Sequence, residues 1–209
     1  MIIDKIEFKE DYRTYKKGQV IEIKDKLTVI TGDNGVGKTT LFSCIRGLVS
    51  NRMQHDMKDA MVNEQDININ SLCISFAKDL LSNRSGFDHN IDLQLRCMGV
   101  SSGQGLIVQL ADELTREREL IVLDEPERGL SIAKQIMVAR MISEYMDKYP
   151  HCQVIIFTHS KDIMGMKEEV LTLPENTYLP IGKIDDYFRA YSLMDIGDAE
   201  ARHSSARYK

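Results

Sequence analysis

The chain has 209 residues, 43% of them hydrophobic, which is enough to bury the core of one domain. Its net charge of −5 at pH 7 excludes the overall basic character of a dedicated nucleic-acid binder, but it does not exclude a basic patch on one face. Neither a signal peptide nor a long apolar span is found, so we expect a soluble, cytoplasmic protein. Four scattered cysteines are predicted to be buried, reduced thiols: Cys44, Cys73, Cys97 and Cys152.

Residues 1–31 are predicted to form an opening β region, with strands at 2–8, 19–23 and 27–31. The stretch Tyr12-Arg13-Thr14-Tyr15 lies between the first two strands. Two interpretations stay open for it: an aromatic ring that stacks on a purine base, or surface tyrosines in a hairpin. Arg13 would likewise reach a phosphate or lie in solvent.

A phosphate-binding loop follows the strand at 27–31. The sequence Gly-Asp-Asn-Gly-Val-Gly-Lys-Thr-Thr over residues 32–40 fits the pattern G-x-x-x-x-G-K-[ST], and apolar residues at helical spacing continue over 41–48. The glycines let backbone N–H groups surround an anion at the N-terminus of a helix. We expect Lys38 to reach the terminal phosphates and Thr39 to bind Mg²⁺. The predicted nucleotide contacts of this loop are Asn34, Gly35, Val36, Gly37, Lys38, Thr39 and Thr40.

The middle of the chain carries weaker patterns. Residues 51–70 are polar and Met-rich with no clean period, a buried strand is predicted at 71–77, and residues 78–100 are mixed. After them, Ser101-Ser102-Gly103-Gln104 precedes apolar residues that share one face of a helix running to about residue 118.

Two carboxylates follow a strongly apolar strand. Residues 120–123 are four consecutive large apolar residues, typical of a strand buried on both faces of a parallel sheet. Asp124 and Glu125 come next, at the end of the strand where open α/β sheets bind ligands. Because such charges beside a core need a cation, we expect Asp124 to bind Mg²⁺ opposite Thr39. Glu125 is then expected to accept a proton from the attacking water.

A helix and two more strands are predicted beyond this turn. Ser131 is predicted to cap a helix over 132–146, whose apolar face includes Ile132, Ile136, Ala139 and Tyr145. The buried strand at 153–157 ends in Thr158-His159-Ser160, and residues 168–173 are predicted to be a last strand. His159 is expected at the same sheet edge as Lys38, where it would donate a hydrogen bond to the γ-phosphate.

The order of these motifs resembles that of the ATP-binding-cassette (ABC) ATPases over residues 1–173. Residues 100–104 are similar to the signature L-S-G-G-Q, Asp124-Glu125 to Walker B, Gly129-Leu130-Ser131 to the D-loop, and His159 to the switch histidine. The resemblance implies an α/β P-loop NTPase fold of ABC type, with a mostly parallel central sheet flanked by helices and an N-terminal antiparallel β region. It implies one domain over 1–209, with a reduced helical subdomain at 50–118 and a C-terminal extension at 182–209.

The resemblance also implies a mechanism. Two copies would pack head to tail as an ATP-dependent homodimer, so that the P-loop of one and the signature of the other enclose ATP and Mg²⁺. The signature residues Ser101, Ser102, Gly103 and Gln104 would then contact the ATP of the opposite copy. The implied catalytic residues are Lys38, Glu125 and His159.

Details of the motifs resemble the soluble branch of recombination, chromosome-maintenance and phage-defence ATPases, because Glu127 follows Pro126 and Ser160 follows His159. Ser102 departs from the signature glycine, Ser131 stands where transporters place an Asp, and no Q-loop glutamine is identified. The leading hypothesis is an ATP-hydrolysing switch for a macromolecular partner, either nucleic acid or an effector protein. The alternatives are the nucleotide-binding subunit of an ABC transporter, and a protein in which ATP is only structural glue.

Overall fold

Apolar strands alternate with helices along most of this chain, which is the order expected of a parallel α/β sheet. The computed structural model describes residues 1–50, 69–76 and 102–192. The strands are β1 (Lys5–Glu7), β2 (Val20–Glu22), β3 (Leu27–Gly32), β4 (Ser71–Ser75), β5 (Leu120–Asp124), β6 (Gln153–Phe157), β7 (Glu169–Leu173) and β8 (Thr177–Pro180). The helices are α1 (Lys38–Ser50), α2 (Ser102–Glu113), α3 (Ile132–Lys148) and the single turn α4 (Lys161–Met164). Ile181–Lys183 is a 3₁₀ turn, and residues 184–192 are helical.

Six of these strands form the central sheet of the described residues, in the order β4-β5-β6-β3-β7-β8. Every neighbouring pair is parallel except β7 with β8. Strands β1 and β2 form a separate antiparallel pair, whereas the third strand of the predicted opening region, β3, lies inside the central sheet. The mostly parallel sheet and the antiparallel N-terminal pair are therefore as predicted.

Successive side chains of a strand point to opposite faces of the sheet, and the inner strands carry apolar side chains on both faces. The central sheet is therefore covered on both sides. In β5, Leu120 and Val122 pack in one core together with α1 and the β1–β2 pair. Ile121 and Leu123 face the other way, into a second core formed with α2 and α3. All five residues of β5 and all five of β6 are buried. The apolar run at 120–123 thus forms the doubly covered strand that its composition predicts.

The apolar residues of α3 are buried only in the later part of the helix. Ala139 and Tyr145 are buried, together with Val138 and Ile142, but Ile132 is 70% exposed and Ile136 is 52% exposed. The buried residues of α3 begin at Val138, so the first turns of the helix contribute no buried side chain. Ile132 and Ile136 are therefore exposed, although they follow the helical spacing of apolar residues.

Other boundaries shift by a few residues. The helix expected to reach residue 118 ends at Glu113, and β8 has no counterpart among the predicted strands. Ser131 occupies the N-cap position of α3, but its side chain makes no capping hydrogen bond. No helix within the described ranges has the length and apolarity needed to cross a membrane. Because most of 50–118 and 182–209 lies outside those ranges, the division into subdomain and extension stays a prediction.

The cysteines of the described ranges are not in disulfides. Cys44 and Cys152 are buried, as predicted, whereas Cys73 is half-buried, and Cys97 lies outside these residues. Burial raises the pKa of the Cys44 thiol to about 12 and that of Cys152 to about 11, so both thiols stay protonated at neutral pH.

Candidate functional site

The candidate site lies at the carboxyl ends of three adjacent strands, β3, β6 and β5. Lys38 follows β3 through the glycine-rich loop, Asp124 ends β5, and His159 stands two residues after β6. The strand ends are joined by hydrogen bonds: Thr31 Oγ1 donates to the carbonyl of Thr158 (2.8 Å), and the Thr158 N–H donates to the carbonyl of Ile30 (3.0 Å). The topology therefore brings Lys38, Asp124, Glu125 and His159 to one edge of the sheet.

The loop at 32–37 has positive φ at all three of its glycines, Gly32, Gly35 and Gly37. Gly37 has φ of +110°, and a Cβ there would lie 2.4 Å from Thr14 Oγ1. Gly35 has φ of +82° and faces open space. Of the predicted nucleotide contacts in this loop, Asn34 and Gly35 are exposed, Val36 and Thr39 are half-buried, and Gly37, Lys38 and Thr40 are buried. The most accessible part of the loop is thus the turn at residues 34 and 35.

Lys38 is 6% exposed and is held by the loop that precedes it. Its ammonium group donates to the carbonyls of Gly32 (2.8 Å) and Asp33 (2.7 Å). Burial lowers the pKa of Lys38, and the carboxylates of Glu125 and Asp33 oppose that effect. The ammonium is therefore a desolvated cation, fixed at the mouth of the loop.

Tyr15 lies underneath the loop. It is 2% exposed, its hydroxyl donates to the carbonyl of Gly37 (3.0 Å), and its ring stacks on Phe8 at 4.4 Å between centroids. Burial raises the pKa of Tyr15, so the hydroxyl remains a donor. Both interpretations that the sequence left open, base stacking and surface exposure, are therefore wrong for Tyr15.

Tyr12 and Arg13 lie nearer the surface. Tyr12 is half-buried and pairs with Tyr15 through an isolated antiparallel bridge. Arg13 is exposed, has φ of +54°, and carries its guanidinium carbon 5.5 Å from the centre of the Tyr12 ring. For Tyr12 and Arg13, contact with a base or a phosphate stays a prediction.

Asp124 is 1% exposed, and its Oδ2 accepts a hydrogen bond from Ser75 Oγ at 2.8 Å. Ser75 is the residue opposite Asp124 in the parallel pair β4–β5, so the sheet register itself places the donor. Glu125 follows with φ of +54°, and its Oε2 accepts from Arg128 Nη1 at 2.9 Å. The Ser75 and Arg128 contacts were missed by the sequence analysis, although Ser75 is a polar residue at the end of an apolar strand.

A third carboxylate, Glu127, connects the two neighbouring strand ends. Its Oε1 accepts the backbone N–H of His159 at 2.7 Å. Burial raises the pKa of Glu127, and the His159 N–H opposes the shift. The His159 ring reaches the surface, yet desolvation by its neighbours lowers its pKa, and the Lys38 ammonium adds to the effect. At neutral pH His159 is therefore a neutral imidazole.

The signature-like residues belong to the start of α2. Ser102 and Gly103 open this helix, Gln104 is exposed, and Ser101 lies outside the described residues. Their predicted contact with the ATP of a second copy stays a prediction.

The residues at the strand ends fit a magnesium ion that is shared with phosphate groups. Among residues 1–50, 69–76 and 102–192, no three His, Cys, Asp or Glu side chains are grouped as a metal site. Mg²⁺ in nucleotide sites is held by one or two protein oxygens together with phosphate oxygens, rather than by an all-protein cage. The hydroxyl of Thr39 and the buried carboxylate of Asp124 supply oxygens of that kind.

Comparison with known proteins places the chain among families of ATPases. The model of the family AAA_23, an AAA domain, matches residues 10–194. The zinc import ATP-binding protein ZnuC of Vibrio vulnificus is 27% identical over 203 residues, which span 88% of this chain and 77% of that protein.

Two solved structures share the fold at 15% identity. The SMC head domain from Thermotoga maritima gives a TM-score of 0.56 and covers 86% of this chain and 99% of that one. A dimeric bacterial ABC transporter cassette gives a TM-score of 0.53, and the match covers 84% of this chain and 98% of that one. The chain therefore belongs to the AAA_23 family of AAA domains, and it is a P-loop ATPase of ABC type that binds and hydrolyses ATP.

Proposed function

We propose that this ATPase binds Mg-ATP between two head-to-tail copies and acts as a nucleotide-dependent switch for a macromolecular partner. The observation that carries the proposal is the convergence of Lys38, Asp124, Glu125 and His159 at one sheet edge. The electrostatic influence of Glu125 on the pKa values of both Lys38 and His159 supports their closeness. Together they supply a phosphate-binding cation, a metal ligand, a proton acceptor and a hydrogen-bond donor.

Each residue has a distinct part in the proposed reaction. The loop N–H groups and Lys38 bind and orient the phosphates, and the desolvated Lys38 offsets the charge that develops in the transition state. The Glu125 carboxylate accepts the proton of the attacking water. The neutral His159 imidazole donates one hydrogen bond to the γ-phosphate, and Glu127 fixes the backbone from which it projects.

Thr39 and Asp124 would hold magnesium, which would supply charge neutralisation at the phosphate groups. Ser75 holds the Asp124 carboxylate from the neighbouring strand and so limits its rotation. The protein therefore presents a metal ligand of fixed direction before the nucleotide binds.

A second copy of the chain is the proposed partner across the nucleotide. The chain carries one P-loop and one signature-like sequence, and head-to-tail pairing would bring the two together. The D-loop residues are followed by three exposed apolar side chains at the start of α3, Ile132, Ile136 and Met137. Exposed apolar side chains that lie together indicate a contact surface. One structural neighbour, a bacterial transporter cassette, is itself dimeric.

The decisive experiment combines turnover with oligomeric state. Glu125→Gln is expected to lower kcat by at least about 100-fold and to leave ATP affinity nearly unchanged, because a proton acceptor matters in the transition state. Lys38→Ala is expected to weaken ATP binding itself. Glu144→Gln, an exposed carboxylate on α3, is the matched control and should retain wild-type turnover. If the Glu125→Gln protein stays monomeric by light scattering in excess Mg-ATP, the head-to-tail switch is refuted.

The nucleotide-binding subunit of a transporter is a second candidate function. It is favoured by the similarity to a protein named for zinc import. In that case the partner would be a separate membrane protein, and the chain should co-purify with it from detergent-solubilised membranes. The switch hypothesis instead predicts ATPase activity that is stimulated by nucleic acid or by an effector protein. Turnover measured with and without DNA, at low and moderate salt, separates the two.

We also propose that the protein works in the cytoplasm, where ATP is abundant and thiols such as Cys44 stay reduced.

A further inference from the structure

Arg128 contacts Glu125 through both its backbone and its side chain. The Arg128 N–H donates to the carbonyl of Glu125 at 3.0 Å, which closes the turn after β5. Its guanidinium Nη1 donates to Glu125 Oε2 at 2.9 Å. The Arg128 side chain is 55% exposed, whereas that of Glu125 is 22% exposed. The arginine thus reaches the carboxylate from the solvent side of the turn.

The backbone of Glu125 is already fixed by its neighbours. Its φ of +54° belongs to the left-handed region, which is unfavourable for a residue with a Cβ. Its N–H donates to the carbonyl of Phe157 at 2.9 Å, and its carbonyl accepts from Arg128. What remains free is the rotation of a long, flexible side chain. In the described part of the chain, Arg128 is the one side chain that hydrogen-bonds the Glu125 carboxylate.

A second cation, Lys38, lies near the same carboxylate. Glu125 is close enough to Lys38 to raise the pKa of that ammonium, against the larger effect of burial. A direct ion pair between them would remove the proton acceptor from water and the ammonium from phosphate. Arg128 offers Glu125 an alternative cation with a well-defined donor geometry, which an ammonium lacks. The ion pair with Arg128 therefore keeps Glu125 and Lys38 available for separate tasks.

We propose that Arg128 is a positioning residue for ATP hydrolysis, holding Glu125 by Oε2 so that Oε1 faces the attacking water. The inference rests on the proposed role of Glu125. In the step it serves, the water proton passes to Oε1, the water oxygen bonds the γ-phosphorus, and the bond from that phosphorus to the bridging oxygen of ADP breaks. Because Arg128 acts through Glu125 rather than on the nucleotide, its loss lowers kcat and leaves ATP affinity unchanged.

The test compares three arginine variants of the full chain. Arg128→Gln removes the cation, Arg128→Lys keeps a charge in reach, and Arg140→Gln is the matched control. Arg140 is exposed on α3 and forms an ion pair with Glu144 at 2.7 Å, away from the strand ends. We expect Arg128→Gln to lower kcat about tenfold, since misplacing a catalytic group by an ångström can cost up to about 100-fold. Its dissociation constant for a fluorescent ATP analogue should stay within about twofold. Arg128→Lys should recover part of kcat, and Arg140→Gln should match the wild type.

A double variant shows whether Arg128 acts through Glu125. Adding Arg128→Gln to Glu125→Gln should lower the residual turnover no further, because the group being positioned is already lost. An equal tenfold loss in both backgrounds would overturn the inference, as would a weakened ATP affinity or a wild-type kcat in Arg128→Gln. The proposed function fails separately, if Glu125→Gln itself keeps wild-type turnover. Circular dichroism and thermal melting of each variant confirm that folding is retained.

Discussion

The hydroxyl of Tyr15 offers a precise way to test whether the segment beneath the P-loop controls nucleotide binding. Tyr15→Phe removes the hydrogen bond to the Gly37 carbonyl and keeps the ring that stacks on Phe8. That carbonyl also accepts the N–H of Leu41 at 2.9 Å, so the change leaves no carbonyl without a donor. The expected loss is therefore that of one ordinary hydrogen bond, about 1 kcal/mol in the free energy of unfolding. In a chain of this size, it corresponds to a decrease of about 2–4 °C in Tm.

The same change should weaken ATP binding, because Gly37 immediately precedes Lys38 and loses its support from below. We expect the dissociation constant of Mg-ATP, measured by calorimetry, to rise about three- to tenfold, or about 0.7–1.4 kcal/mol. Tyr145→Phe is the matched control. The Tyr145 hydroxyl donates to the carbonyl of Arg116 (3.2 Å) and accepts the N–H of Arg118 (2.9 Å) in the other core. It should destabilise the protein at least as much and leave ATP affinity unchanged.

Two results would refute this reasoning about Tyr15. Wild-type ATP affinity in Tyr15→Phe, with the expected loss of stability, would show that the hydroxyl only packs the core. An equal loss of affinity in Tyr145→Phe would show that global stability, rather than the support of Gly37, governs binding. Urea denaturation with an unchanged m-value is the check that both variants unfold from the same native state.

Three further changes have outcomes that follow from the geometry. Gly37→Ala places a Cβ 2.4 Å from Thr14 Oγ1 and should abolish ATP binding in calorimetry. Gly18→Ala is the control: its φ is +79° and the space around it is open, so it should lower the free energy of unfolding by about 1–2 kcal/mol and leave ATP affinity unchanged. Gln153 is 1% exposed and accepts hydrogen bonds from the N–H groups of Ile2 and Ile3 (2.9 Å each). Gln153→Ala should therefore lower the free energy of unfolding, measured in urea, by about 2–4 kcal/mol. A loss under about 0.5 kcal/mol would contradict this expectation. Glu127 has a raised pKa, so its contribution to stability is present below the usual value of 4.5 and is lost as pH rises through the folded pKa. Glu127→Gln should therefore gain in Tm relative to the wild type as the pH rises above 4.5, and a pH-independent difference would argue against a raised pKa of Glu127.

The motifs that carry chemistry were predictable because each lies within about ten consecutive residues. The glycine-rich loop, the apolar strand that ends in Asp124-Glu125, and the strand that ends before His159 each follow from local pattern and turn chemistry. Parallel strands present their carboxyl ends on one edge, so a common site for Lys38, Asp124 and His159 also followed from the sequence.

Other features depended on which distant segments meet. Tyr15 reaches Gly37 across 22 residues, and Glu127 reaches His159 across 32. No local pattern distinguishes a tyrosine below a loop from one that stacks on a base, or an acidic turn in solvent from one that holds a neighbouring strand end. The exposed Ile132 and Ile136 show the same limit, since helical spacing defines an apolar face but not where the core ends along the helix. Sequence by itself determined the ATPase motifs and the parallel sheet, because both arise from short-range propensity and hydrophobic period. Only the tertiary structure decided how the loop is supported and how the carboxylates are held, because those contacts exist only once the strands have been ordered side by side.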